Sequence, residues 1–584
     1  MIRHKKLAAM VALAGLGVAA CSAPSAVNNP GSSGSSTSQG APQAKALDPS
    51  AKGPAPEVAG AAKGGTILVR AETTPSSMDP TDIYYVDSNE ISKLTFRALT
   101  QFDMRDGKPV LVPDLAEDLG TASADGLTWT FKLKKGIKYH DGTEVKAEDY
   151  AYAIKRSFAH DLFADGPTYQ LDYFKDGDTY KGPWASGDTY AGVETPDNNT
   201  LVIHLRTPFA DLPFYASFPM FTPIPKAKDT KDNYQNSPMA TGPYTWDTYT
   251  VGTELKLKKN PNWDPNTDPV RHQYADAWDF KWGSDAITTQ KQTILSQGPD
   301  ASSIEYDSLD SSVLPDLAGK QSQLLTGESP CTYLFQMDSR KIPLEVRKAI
   351  AVAYDYDGMW KIVGNNDVTS ARASTILPPS VPGYTDFTLD INGVKLNGTG
   401  SGDPVKAAAM LKAAGKENFE LVWYYSNDSK IATAGSAYRE KFFQKAGFKT
   451  RAIGVPKAQI RSYTADYTKD ANVLWSPGGW CSDWPSGGSW FPVLFKSSSV
   501  KNGLSIGELS DPALDAKIDA VSAKPLDSQA ADWGVMDKYI LETYLPALPL
   551  YHDKLAVVMG NKVGGAVADV TMGMPFFPTI FVKP

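Results

Sequence analysis

Only three cysteines occur in 584 residues, Cys21, Cys331 and Cys481, and their placement constrains the chain more than any other feature. Cys21 ends an N-terminal segment in which the basic head MIRHKK precedes LAAMVALAGLGVAA, an apolar run too short to cross a bilayer as a stable helix. Small residues lead directly into that cysteine, and SAPSAVNNPGSSGSSTSQGAPQ follows it. This reads as a lipoprotein signal of residues 1–20, cleaved before Cys21, whose thiol then carries lipid. A plain secretory signal is the competing reading, and it leaves Cys21 without a role. With Cys21 used in this way, Cys331 and Cys481 remain as an even pair in an oxidising compartment, which predicts a disulfide. Closing a loop of about 150 residues stabilises by roughly 4–5 kcal/mol in the chain-entropy estimate. Two free buried thiols are the alternative.

From Ser22 to about Gly64 the chain is Ser, Gly, Pro, Ala and Asn with few large apolar residues. Such a stretch cannot offset its ordering entropy, so residues 21–64 are expected to form a flexible tether. About 520 residues remain, enough for two or three packed units. No later segment is long and apolar enough to span a membrane. The net charge of −8 argues against a nucleic-acid or polybasic membrane role. The many tyrosines and tryptophans suit a large ligand-contact surface, or simply a core.

GGTILVRA predicts a strand, GLTWTFKLKKGIKYHDG another, and KAEDYAYAIKRSF a helix with apolar residues at three- and four-residue spacing. SNEISKLTFRALTQFD predicts an amphipathic helix capped by Ser88, and LEVRKAIAVAYDYDGMWKIV one long helix. NNTLVIHLRTPF and TGPYTWDTYTVGTELKLKKNPNW read as strands. DPVKAAAMLKAAG carries a full set of helix signals: Asp403 as cap, Pro404 in the first turn, Gly415 at the end. The strand FELVWYYS, the helix SAYREKFFQKAG ending at Gly447 and the strand FKTRAIGV follow. That alternation predicts an α/β unit with mostly parallel strands after about residue 400.

Candidate chemistry is sparse. GLSIG at Gly503–Gly507 matches a nucleophile elbow at Ser505, but no hydrophobic strand precedes it and the next helix starts near Pro512. GTGSG at Gly398–Gly402 lacks dinucleotide spacing. Six histidines form no H-x-x-x-H pair, so no resident metal or other cofactor is expected. One stretch stands out, SPGGWCSDWPSGGSW, which sets Asp483 among Trp480, Trp484 and Trp490 beside Cys481. A carboxylate flanked by aromatics is costly to desolvate unless a cation or several donors satisfy it. Residues 476–490 are either an exposed turn or a pocket with one fixed negative charge.

VPDLAEDLGTASADGLTWTFKLKKGIKYHDGTEVKAEDYAYAIKRSF resembles the signature of the large extracellular solute-binding proteins of ABC importers, the family 5 or peptide-binding group. TPIPK, ATGPYTW, LKLKKNPNWDP and YLFQMDSRKIPLEVRKAIAVAYDYDGM fall in that family's order, with the asparagine and Pro-Phe usual before Val-Arg altered here. The resemblance covers about Gly65 to Pro584. It implies an α/β bilobal clamshell of the periplasmic-binding-protein type, class II, with an additional α+β subdomain. Residues 65–105, 238–328 and 551–584 would form lobe I, 106–237 the subdomain and 329–550 lobe II. GWCSDW is similar to the oligopeptide-binding members. Carried over, Asp483 would pair with a peptide α-ammonium, Trp480 would line a side-chain pocket, Trp484 would join the ligand site, and Cys481 would bond Cys331. DPTDIYYVD aligns loosely with a segment that meets the peptide backbone as an added strand, which names Tyr84 and Val86.

The resemblance therefore implies a non-enzymatic, monomeric receptor, lipid-anchored outside the cytoplasm, that delivers dipeptides or oligopeptides to a permease. An oligosaccharide receptor is the nearest rival, with Trp475, Trp480, Trp484 and Trp490 stacking on sugars. A nickel receptor fits poorly with so few histidines, while haem stays open. Other classes are an extracytoplasmic serine hydrolase resting on Ser505 and a peptide-sensing surface lipoprotein.

Overall fold

The computed structural model describes residues 46–464, 469–474, 478–502 and 504–584. The expected signal, Cys21, Trp475 and Gly503 lie outside the described residues.

Among the described residues the three sheets of four or five strands organise the chain, one of them built on two long crossing strands. The first sheet has five strands in the order Ser303–Glu305, Thr66–Ala71, Ala277–Trp282, Glu254–Lys259, Tyr244–Thr250. The strand Thr66–Ala71 runs parallel to both of its neighbours, and the remaining pairs are antiparallel. Ile67, Val69, Leu255, Leu257, Trp278 and Phe280 alternate along their strands onto one core with Phe577. The second sheet, Thr121–Ala122, Thr128–Lys132, Thr200–His204, Val193–Asp197, is antiparallel and covered by the helix Ala147–Arg156. Its core is dense in aromatics, including Tyr150, Tyr169, Phe209, Phe214, Tyr215 and Phe218.

The strands Leu324–Gln336 and Ala547–Val558 run antiparallel over nearly their whole lengths. Their outer ends, Leu325, Leu555 and Val557, belong to a cluster beside the first sheet, whereas Leu334, Phe335, Leu548 and Leu550 lie in a separate large core. One ladder thus serves two cores. Its register shifts between Glu328 and Thr332, where Pro330 brings no N–H to the ladder. From Cys331, at the end of the shift, Gly478–Cys481 joins as an edge strand, with Cys481 opposite Cys331 and an S–S bond of 2.00 Å between them. The large core gathers the helices Leu344–Ala353, Pro404–Ala413, Lys430–Lys445 and Ala530–Thr543 around this sheet.

Helix 404–413 follows its local signals: Asp403 Oδ1 accepts from the Lys406 N–H at 2.9 Å, and Gly415 turns left-handed at φ +62°. Several expectations are corrected. The long helix after Leu344 is two, Leu344–Ala353 and Tyr356–Ile362, because Asp355 caps the second through the Gly358 N–H at 2.8 Å. The helix expected from Ser88 is Val86–Ser92, with Ser88 inside it. It stops where Lys93 turns into a buried ion-pair cluster with Glu90 and Asp569. Among the described residues after 400, only Glu420–Ser426 and Lys449–Val455 pair in parallel; Gly478–Cys481 and Ala547–Val558 are antiparallel to Leu324–Gln336.

The described part of the expected tether, residues 46–64, is instead bound to the body. Leu47 bridges Leu111, Asp48 pairs with Arg105 at 2.7 Å, and Ala55 is buried. Glu57 and the Val58 N–H both hydrogen-bond the Tyr274 hydroxyl. A few apolar and charged side chains suffice to order a segment whose average composition is that of a linker. No helix among the described residues is long and apolar enough to cross a membrane.

The Cys331–Cys481 bond closes a loop of 150 residues at the base of the edge strand. Replacing both cysteines by serine should destabilise the protein by about 2–5 kcal/mol, seen as a lower thermal midpoint. An unchanged midpoint would contradict this role.

Candidate functional site: a carboxylate seam between the two sides

The edge strand leads straight into a tightly self-bonded loop. Ser482 N–H donates to the Pro330 carbonyl at 2.9 Å, and Trp490 Nε1 donates to Ser482 Oγ at 2.5 Å. Ser489 Oγ donates to the carbonyls of Trp484 and Ser486, and Trp480 Nε1 donates to the Ser489 carbonyl at 3.0 Å. The paired glycines answer to close approach. A Cβ on Gly487 would lie 2.3 Å from Trp533, and one on Gly488 would lie 2.0 Å from Asp211 Oδ2. The loop is therefore a built element fixed to the large core, not an exposed turn.

Asp483 projects from it toward the aromatic subdomain. Its Oδ1 accepts from the Tyr84 hydroxyl at 2.8 Å, and its Oδ2 accepts from the Tyr169 hydroxyl. Tyr84 lies just before the helix Val86–Ser92, and Tyr169 opens the short helix Tyr169–Tyr173. Desolvation pushes the Asp483 carboxyl up to about 6, while the two hydroxyl donors pull the other way. The same burial, with the Asp483 charge beside them, lifts both tyrosines well above their ordinary range, so they stay protonated donors.

Trp484 takes a different place from the one the resemblance implies. Its indole is fully buried in the subdomain core, with ring centroids of Tyr169 at 4.7 Å, Phe209 at 5.9 Å and Tyr215 at 6.2 Å. Its Nε1 donates to Asp211 Oδ2 at 2.6 Å. Trp490 is likewise fully buried. Neither ring face is open to a sugar, so of the four tryptophans of the expected stacking array only Trp480 is left partly exposed among the described residues.

Of the other sequence-derived residues, Trp480 is half-buried at the edge of the large core, and Val86 begins a helix where an extended contact was expected. Ser505 lies in a loop well before the helix Pro512–Ser522, and its buried Oγ has no hydrogen-bond partner among the described residues. That is no nucleophile elbow. Among the described residues no group of three or more His, Cys, Asp or Glu is arranged to hold a metal. Sequence reasoning missed Tyr169 and Asp211. The signal available was the aromatic density of PTYQLDYF and PFADLPFYASFPMF, which flank the strands Val193–Asp197 and Thr200–His204 in sequence.

The dipeptide-binding protein of Escherichia coli strain K12 is 24% identical, over 90% of this chain and 96% of that relative. The glutathione-binding protein GsiB of the same strain is 23% identical, over 75% of this chain and 80% of its own. Among solved structures, the clavulanic acid biosynthesis oligopeptide binding protein 2 superposes with a TM-score of 0.79 at 24% identity, covering 92% of this chain and 99% of that one. The binding protein DppA from Helicobacter pylori, in complex with the peptide STSA, gives 0.66 at 18% identity, covering 90% and 99%. These structures share the bilobal clamshell fold. The model of the bacterial extracellular solute-binding proteins, family 5, matches residues 110–502, and the chain belongs to that family.

Proposed function

We propose that this chain is the substrate-binding lipoprotein of an ABC importer, capturing extracellular di- or oligopeptides through their free amino terminus and delivering them to a permease. The observation that carries the reading is the Asp483 carboxylate with its two tyrosine partners. A carboxylate oxygen has lone pairs to spare after one hydrogen bond, and each tyrosine oxygen that donates can still accept. Asp483, Tyr84 and Tyr169 thus offer three convergent acceptors, the complement of the three N–H donors of a primary ammonium. The negative charge selects a cation, and the buried surroundings make the charge-assisted bonds strong.

In this reading Trp480 lines a side-chain pocket beside the anchor, and main chain around Tyr84–Val86 meets the peptide backbone. Trp484 acts from behind the site and not as a ligand surface. The two sides of the clamshell, divided at the crossing strands, close by a hinge-type population shift that the permease reads. Cys21 carries lipid that holds a monomeric receptor at the outer face of the membrane. The relatives, a dipeptide-binding protein and a peptide-bound binding protein among them, support peptide as the ligand class and binding in place of catalysis.

Calorimetry with trialanine and with N-acetyl-trialanine tests the anchor. The free amine should bind and the acetylated form should not. Asp483→Ala should weaken trialanine by about 3–5 kcal/mol, the range for stranding one partner of a buried ion pair. Unchanged affinity in the variant would defeat the assignment.

The raised carboxyl gives a second expectation. The anchor needs Asp483 ionised and the peptide amine protonated, so affinity should peak near pH 7, fall as pH drops through about 6, and fall again above about pH 8 as the amine loses its proton. Titrations between pH 5 and 8 would check the acid side, and Asp483→Asn should abolish that slope.

The stability of the protein itself follows the opposite sign. A carboxyl raised by burial binds more protons folded than unfolded, so its penalty is fully present above about 6 and fades as pH falls toward the unfolded value. Asp483→Asn should therefore melt higher than the native chain at pH 7, with the gap shrinking at pH 5. A gap independent of pH would contradict the burial of the charge.

A further inference from the structure

The seam holds a second carboxylate that the proposed anchor does not use. Asp211 precedes the short helix Leu212–Tyr215, yet its side chain makes no capping bond to that helix. It reaches across instead, accepting from Trp484 Nε1 at 2.6 Å, with the Ser486 hydroxyl as a further donor. Asp211 is only 4% exposed, and burial pushes its carboxyl up to about 6 against those two donors. Gly488 is what lets it in, since a Cβ there would stand 2.0 Å from Asp211 Oδ2. Trp484 belongs to the loop fixed to the large core, but its indole fills the aromatic core of the subdomain. It also follows Asp483 directly, so the place where the indole is held fixes where the Asp483 carboxylate stands between Tyr84 and Tyr169.

We propose that Asp211 is a positioning residue: by holding the Trp484 indole across the seam, it latches the two sides of the clamshell together and sets Asp483 between its tyrosines. The latch is a contact between two parts of this chain, and only its effect on affinity rests on the peptide-capture reading. A contact that favours the closed form raises the binding-competent fraction, so it multiplies the apparent affinity of every ligand by one factor. Asp483 behaves differently, because it discriminates ligands by their amine. A loss of affinity accompanied by opening of the ligand-free protein therefore identifies the latch, whereas a loss without opening identifies the anchor.

Three variants of the full chain decide it: Asp211→Leu, which removes the acceptor; Asp211→Asn, which keeps an acceptor oxygen for the indole N–H; and Gly488→Ala, which blocks the approach from the other side. Small-angle scattering on protein stripped of ligand by unfolding and refolding reads the opening. Amide exchange reads the loop 482–490 against the strand Thr66–Ala71 as internal reference. Asp211→Leu should enlarge the radius of gyration and speed exchange in the loop about tenfold, the weight of one hydrogen bond to a charged group. Exchange in the reference strand should not change. Asp211→Asn should restore most of the native behaviour, and Gly488→Ala should mimic Asp211→Leu. Trialanine and tetra-alanine should lose affinity for Asp211→Leu by the same factor.

Native scattering and exchange in a folded Asp211→Leu would overturn the proposal, as would affinity losses that differ between the two peptides. If Asp211→Leu fails to fold by circular dichroism, Gly488→Ala decides: opening supports the latch, and native behaviour overturns it. If neither peptide binds the native chain, the capture reading fails, while scattering and exchange still decide the latch.

Discussion

The antiparallel pairing of Leu324–Gln336 with Ala547–Val558 is the constraint on which the rest depends. Each end of this ribbon is locked into its own hydrophobic cluster, so neither end can bend without opening a core. Between them lies the register shift from Glu328 to Thr332, with Pro330 supplying no ladder donor. Compliance is thereby confined to a few residues. The Cys331–Cys481 bond lies at the far end of that interval and fixes the anchor strand to the large-core side. Asp483, two residues beyond Cys481, must therefore travel with the large core as a rigid passenger. A motion at the ribbon becomes a displacement of one carboxylate relative to Tyr84 and Tyr169.

How legible this was depended on the range of the interaction. The helix at Pro404–Ala413 was readable because cap, proline and terminal glycine all act within one or two turns. The break at Tyr354–Asp355 was also written locally, in an aspartate three residues before a glycine N–H, but the apolar periodicity running through it masked the cap. The crossing ribbon pairs residues more than 200 positions apart, and no local pattern marks which strands will meet. The tether misjudgement has another cause. Composition averages over a window, whereas Leu47, Asp48, Ala55 and Val58 act singly against Leu111, Arg105 and Tyr274.

The site divides in the same way. The aspartate among aromatics in SPGGWCSDWPSGGSW was visible as a desolvation problem needing either a cation or donors. The sequence did not say which aromatics would face the ligand and which would vanish into a core. Trp484 illustrates this: its neighbours come from Tyr169 and Tyr215, and its hydrogen-bond partner from Asp211. Spacing on its own element carries no trace of them.

Two carboxylates in one seam impose opposite demands on closure. Asp211 and Asp483 are both pushed up to about 6 by loss of solvent, so bringing the sides together costs free energy at neutral pH. Burial of the Trp484 indole among aromatic rings works the other way, and a side chain of that size hides roughly 150–250 Å². The two costs are not alike in how they are relieved. Asp211 is served by fixed donors of the chain, Trp484 and Ser486, so its contribution is the same for any ligand. Among the described residues the donors to Asp483 are hydroxyls, which lend partial charge and do not neutralise its full negative charge. A cationic ligand relieves that remainder and a neutral one does not. In the proposed reading selectivity and closure are therefore carried by different carboxylates on different elements, coupled through the Trp484 indole that Asp211 holds and the peptide bond that joins Trp484 to Asp483.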